Sequence, residues 1–309
     1  MQANTYRVST ILLILMSLYA CKKNESAFTN SFEVNKGKIE IIADENYEQI
    51  TDELIKSYEN IFDSTDIVPT YENENAAISK FMNDSIHLML IGRRLKPAEI
   101  NNATLSQGIP PREHIIAYDA IAAVTLKNSN DTLFDLDAFI ANRNGNVKNK
   151  FSDTKFIFTS AQSGTLAYLF EKTGLANPST QNMFAVDSLQ QFISYLQKNT
   201  NTVGFLPYTL ISDIDDPQVK EILEDISLMK VVHTDTSGRR MIVELSQSTI
   251  ATKEYPLVRP INLVLGNASE RLGTGFVNFM YKSQPGRIFL KAGLIPAQIP
   301  ERQIKINTN

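Results

Sequence analysis

Phe156-Ile157-Phe158-Thr159-Ser160-Ala161-Gln162-Ser163-Gly164-Thr165 reads as a short apolar strand running into a polar loop. A helix follows through Leu166, Tyr168, Leu169 and Phe170. The first N–H groups of such a helix have no internal partners, and its dipole favours negative charge there. Gly164 lets a ligand approach the backbone, and Ser163 and Thr165 set hydroxyls beside the free N–H groups. The arrangement suits phosphate, sulfate, another oxyanion or a carboxylate. It equally suits an ordinary serine or threonine N-cap. It is not a nucleotide P-loop, because the lysine expected after the glycine-rich turn is absent.

The same strand-to-helix alternation extends on both sides. Gly37–Ala43 reads as a strand closed by Asp44-Glu45, and a helix follows through Tyr47, Ile50, Leu54, Ile55, Tyr58 and Ile61. Val68–Tyr71 is a second strand, Glu72–Asn75 a polar turn, and Ala76 to Met82 a helix. Ile86–Ile91 is a third strand with Gly92-Arg93-Arg94 at its end, and a short helix starts at Lys96–Glu99. Ile115–Leu126 is a long apolar strand interrupted only by Tyr118-Asp119. Leu133–Ile140 suggests a helix, Leu189–Leu196 another, and Val203–Pro207 a strand. Leu257–Leu265 is a strand interrupted at Pro260. Ser269–Lys282 predicts a helix broken by Pro285-Gly286, with Arg287–Ala292 adding a last turn. The pattern is that of an α/β fold with a mixed, mostly parallel sheet covered by helices on both faces.

Ligands in open α/β sheets bind beyond the carboxyl ends of the strands. Asp44 and Glu45 lie at one such end, Arg93 and Arg94 at another. Either arginine can grip an oxyanion with two parallel hydrogen bonds, or can stand in solvent as half of a surface ion pair. One is expected to point inward and the other outward. Tyr71, Tyr118, Phe205 and Tyr208 offer anchors for a bulkier ligand, although core and hinge packing is their more ordinary use. His87, His114 and His233 come without metal-ligand spacing, no Gly-x-Ser-x-Gly elbow is present, and no acid–base pair stands out. Neither an enzyme, a bound metal nor a cofactor is expected.

The amino terminus points to location. Arg7 precedes an uncharged run, Val8–Leu18, that ends in Tyr19-Ala20-Cys21, and Cys21 is the only cysteine. This looks like a bacterial lipoprotein signal: residues 1–20 would be removed and Cys21 would carry lipid, tethering the fold to a membrane facing the periplasm or cell exterior. A retained helix with a buried cysteine is the alternative. The whole chain has 30 Lys and Arg against 34 Asp and Glu, net −4; without residues 1–20 the count is 29 against 34, net −5. No basic tract marks a nucleic-acid footprint. Residues 21–36 read as a polar tether, and the ~270 residues beyond it suffice for two lobes.

Several segments together resemble the periplasmic phosphate-binding protein of ABC transporters and its relatives. They are the strand ending in Asp44-Glu45, the turn and helix Tyr71-Glu72-Asn73-Glu74-Asn75-Ala76-Ala77-Ile78, the strand Ile86 to Arg94, Ser163-Gly164-Thr165, Val203-Gly204-Phe205-Leu206 and Tyr255-Pro256-Leu257. The resemblance implies a type II solute-binding fold of two discontinuous lobes, residues 37–122 with 228–309 and residues 123–227. It implies a cleft holding an anion, phosphate first, through Ser163, Gly164, Thr165, Arg93, Arg94, Asp44, Glu45 and Asn75, and an ABC permease as partner. Where the family usually carries an arginine upstream of Ser-Gly-Thr, this chain has Thr159-Ser160-Ala161-Gln162. Gly92-Arg93-Arg94 replaces the family's serine and proton-accepting aspartate, and Glu72-Asn73-Glu74-Asn75 replaces its glycine- and serine-rich turn. Those departures leave two alternatives open: another anion or small carboxylated solute, or a membrane-anchored sensor or interaction subunit. An intact cleft on which Ser163, Thr165 and Arg93 all converge favours binding; Arg93 turned outward with Glu72 or Glu74 blocking the cleft favours the interaction reading.

Overall fold

The computed structural model describes residues 35–298, apart from 84–85, 146, 160–163, 176–178 and 267–270. Cys21, the segments around it and Ser163 therefore lie outside the described residues. The strands are β1 Gly37–Asp44, β2 Thr65–Glu72, β3 Leu88–Ile91, β4 Arg112–Leu126, β5 Leu133–Asp135, β6 Lys155–Phe158 and β7 Met183–Ala185. β8 Thr202–Pro207, β9 Ile226–Leu228, β10 Lys230–Thr234, β11 Arg240–Val243, β12 Val258–Leu265 and β13 Ile295–Pro296 complete them. The main sheet runs β2-β1-β3-β12-β4-β8-β6-β7, with β9 and β13 also paired to β4. Pairing is parallel in the outer parts, β2-β1-β3 and β8-β6-β7, and antiparallel from β3 through β12 and β4 to β8 and where β9 and β13 join β4. The fold is α/β with a mixed sheet, as the sequence pattern indicates.

β4 is the spine. Its fifteen residues span ~50 Å at the rise of an extended strand. The first part pairs with β12 and the later part with β8 and β9, so one strand runs through both halves of the sheet. Pro260 is tolerated in β12 because β12 pairs with β3 only from Asn262 onward. At Pro260 the side away from β4 is an edge, and no ladder donor is needed there.

Each half buries its own apolar cluster. In the first, Ile50, Leu54, Ile55 and Tyr58 form one stripe of the Glu48–Glu59 helix and pack with Ile41, Leu90, Phe276 and Phe279. In the second, Phe134, Phe139, Phe156, Phe158 and Phe205 are fully buried together, with ring centroids 5.1 to 6.2 Å apart. Phe205 is thus core. Val231, Val243, Leu245, Ile250, Tyr255 and Leu257 belong to this second cluster as well.

Two sequence expectations need correction. Leu133–Ile140 is not one helix. Leu133–Asp135 pairs in parallel with Lys230–Val232, and the helix is Leu136–Arg143, capped by Asp135 accepting from the Ala138 N–H at 3.0 Å. A strand partner a hundred residues away decides this, and local periodicity cannot register it. Pro285-Gly286 does not end a helix either. It lies in the first turn of Ser283–Lys291, where the missing proline N–H has no intrahelical acceptor to lose.

Candidate functional site

The strand ends and two helix starts converge on a buried cluster of charge. β1 delivers Asp44, which is fully buried. Its Oδ1 accepts from the Asn46 N–H (3.1 Å) and Asn46 Nδ2 (2.8 Å), capping the short turn that follows, while its Oδ2 is buried with no partner among the described residues. The Glu74–Met82 helix is capped by Asn73, whose Oδ1 accepts from the Ala76 N–H. That frees Glu74, the first helical residue, to point its fully buried side chain inward.

β3 ends in Gly92-Arg93-Arg94. The Gly92 N–H donates to Glu74 Oε2 at 3.2 Å and Arg93 Nε donates to Oε1 at 2.8 Å. Arg93, 2% exposed, also forms a two-pronged pair with Glu99, both bonds 2.8 Å, and donates to the Arg94 carbonyl. Gly92 is glycine for want of room. A methyl there would lie 2.8 Å from Tyr47 Oη and 3.0 Å from Arg259 Nη1.

The second half contributes the Gly164–Lys172 helix. A methyl on Gly164 would sit 2.2 Å from Glu74 Oε2, so the Glu74 carboxylate lies directly against the start of this helix. Thr165 is fully buried, and its hydroxyl accepts from Arg259 Nη1 at 3.5 Å. Arg259 on β12 stands opposite Asp119 on β4 in the strand register. Arg259 donates to Asp119 Oδ2 from Nε (3.0 Å) and Nη2 (2.9 Å), and both residues are fully buried. Asp119 also accepts from the Tyr47 hydroxyl and, through Oδ1, from the Thr209 N–H. The Arg259 guanidinium lies 5.3 Å from the Tyr47 ring centroid.

Two arginines thus face four carboxylates: Asp44, Glu74, Glu99 and Asp119. Burial disfavours the charge on Arg93, but hydrogen bonds to Glu99 and the charges of Glu74 and Glu99 more than offset it and hold it firmly protonated. Burial also opposes charge on Arg259, and Tyr47, Asp119 and Asp44 outweigh it. Asp44 is the acid left over. Burial first, and the Glu74 charge second, push its carboxyl up to about 7 against the opposing pull of Arg259.

A raised carboxyl pKa means that the folded protein holds a proton the unfolded chain has released. Asp44 therefore contributes stability that is fully present below pH ~4 and is lost as pH rises through 7. The slope from this one proton is at most about 1.4 kcal/mol per pH unit. Urea midpoints at pH 5, 6, 7 and 8 should fall for the native protein, and more gently for Asp44→Asn, which keeps the cap and cannot ionise.

The residues singled out from sequence separate into groups. Asp44, Arg93, Gly164 and Thr165 meet in the cluster. Arg94 turns outward, 3.9 Å from Glu113, and lines a neighbouring cavity of about 740 Å³ with Tyr118, Tyr168 and Lys172. Glu45 is exposed and lines a different cavity of about 450 Å³ with Gln49 and Lys291. Asn75 is exposed, and the Tyr71 hydroxyl is engaged by Asp52. Glu74, Glu99, Tyr47, Asp119 and Arg259 were not singled out as ligand residues. Asp119 and Arg259 did leave a trace, as charged residues inside otherwise apolar strand runs. Among the described residues, no group of three His, Cys, Asp or Glu side chains is placed to hold a metal, and no helix is long and apolar enough to cross a membrane.

The family described as the PBP superfamily domain matches residues 30–284, and the chain belongs to it. Its fold is similar to that of a protein from Clostridium perfringens assigned as a phosphate ABC transporter substrate-binding protein and solved with bound phosphate. Identity is 20%, coverage 85% of this chain and 100% of that one, and the TM-score 0.65. An ABC-type phosphate transport receptor from Vibrio cholerae is 18% identical over 84% of this chain and 100% of its own, with a TM-score of 0.63. The reduced regulatory domain of OxyR2 from Vibrio vulnificus shares the fold at 9% identity, over 79% of this chain and 94% of its own, with a TM-score of 0.51. No curated relative matches the chain.

Proposed function

We propose that the protein is a non-enzymatic solute-binding protein that holds an inorganic oxyanion, phosphate before others, in the cleft between two lobes. One observation carries the reading. A carboxylate is already bound where the resemblance puts the anion: the Glu74 oxygens accept from the Gly92 N–H and Arg93 and rest against Gly164. Those donors suit any compact oxyanion. Asp44 supports phosphate over sulfate. Its buried Oδ2 has no partner among the described residues, and when ionised it accepts from the hydroxyl of hydrogen phosphate, which sulfate does not have. Discrimination between the two anions then widens as pH rises past about 7.

The lobes we assign are residues 37–120 with 258–298, and residues 121–257. Val231, Val243, Leu245, Ile250, Tyr255 and Leu257, which pack in the second cluster, support carrying that lobe on to residue 257. The crossing segments then carry Asp119 and Arg259 at the boundary. The phosphate transport proteins that share the fold support an ABC permease as partner and a periplasmic setting. Lipid on Cys21 would tether the protein there. A second reading is favoured by the saturation of Arg93, which leaves the cleft filled by the chain itself: a membrane-anchored sensor or interaction subunit. Calorimetric titration of the full chain with phosphate, then sulfate, at matched ionic strength separates them. Saturable phosphate binding that vanishes in Arg93→Ala supports capture. A folded protein that gives no heat with either anion supports the second reading.

A further inference from the structure

We propose that Glu74 is a built-in ligand of the cleft, which an external oxyanion must displace, and that Glu74 thereby sets how tightly anions are held. The inference rests on the reading of the cleft as an anion site. Three features make Glu74 an occupant rather than a strut. It is not the cap of its helix, because Asn73 fills that role. Its bonds come from groups that an oxyanion would use, the Gly92 N–H and Arg93 Nε. It reaches from one half of the sheet to the helix start of the other, against Gly164, as a bridging solute would.

Charge makes coexistence costly. An anion entering with Glu74 in place would meet that carboxylate and Asp44 from β1, with Asp119 and Glu99 neutralising much of Arg259 and Arg93. Exchange avoids this: the anion takes the Gly92 and Arg93 donors, and Glu74 swings to water. A tethered competitor lowers apparent affinity by the fraction of time it leaves the site free. A site free a tenth of the time binds about tenfold more weakly than one always free.

The test compares the native full chain with Glu74→Ala and Glu74→Gln, using phosphate and sulfate in the calorimeter and urea unfolding for stability. The expected result is opposite signs. Both variants unfold more easily, because Arg93 loses a charged partner, yet Glu74→Ala binds phosphate roughly tenfold or more tightly. A residue that only holds the site together would lower both stability and affinity. Should the alanine variant fail to fold, the isosteric glutamine variant carries the same comparison. Native binding with equal or weaker binding in the variants overturns the proposal and leaves the anion site standing. Absence of binding by all the folded proteins overturns the anion site and the proposal with it.

Discussion

Arg259→Met should lower stability by about 3–5 kcal/mol, because it leaves the fully buried Asp119 carboxylate without its cation. The Tyr47 hydroxyl and Thr209 N–H still donate to Asp119, but neither brings charge. Adding Asp119→Asn should recover part of the loss, since no buried charge then remains to be compensated. A double-mutant cycle by urea unfolding at pH 8 measures the recovery. If the single and double variants are equally unstable, the loss comes from Arg259 packing over Tyr47 rather than from the ion pair. The pair has a further consequence. It joins β4 to β12 at the assigned crossing, and Thr165 approaches it from the other lobe. Weakening it should loosen the boundary on which any cleft closure depends.

Phe205→Ala should cost about as much, about 3–5 kcal/mol, for a different reason. Phe205 is stacked on Phe158 with centroids 5.4 Å apart and meets Phe134 edge-on at 5.1 Å. Removing the ring leaves a cavity lined by rigid aromatics that cannot collapse onto one another. Urea unfolding reads the loss directly. Phosphate affinity of the folded fraction should be unchanged, because the ring is enclosed in the second cluster. A change in affinity without a change in stability would restore Phe205 as a ligand anchor.

Fold and site were not equally legible in the sequence. Long amphipathic and all-apolar stretches such as Glu48–Glu59 and Leu88–Ile91 announce themselves, because burial and periodicity are local properties. Leu133–Asp135 was lost to a helix because its strand identity depends on Lys230–Val232. The strand-end rule brought Asp44 and Arg93 into view, and both reach the cluster. It could not tell Arg93 from Arg94, whose opposite directions follow from the end of β3 and from where Glu74 and Glu113 lie. Glu74 was visible as a departure from a glycine- and serine-rich turn and, with Glu72, as a group that could block the cleft. Its placement needs three parts of the chain at once: the Asn73 cap, the Gly92 N–H and the bare backbone of Gly164. Asp119 and Arg259 interrupt apolar runs 140 residues apart, and only the β4–β12 register makes them a pair.

The most direct measurement is a crystal structure of the full chain grown in saturating phosphate. The account predicts a phosphate bonded to the Gly92 N–H and Arg93, beside Gly164 and Thr165, with the Glu74 carboxylate moved out of its place. A structure in which Glu74 keeps its bonds to Gly92 and Arg93, with no anion between the lobes, would contradict it.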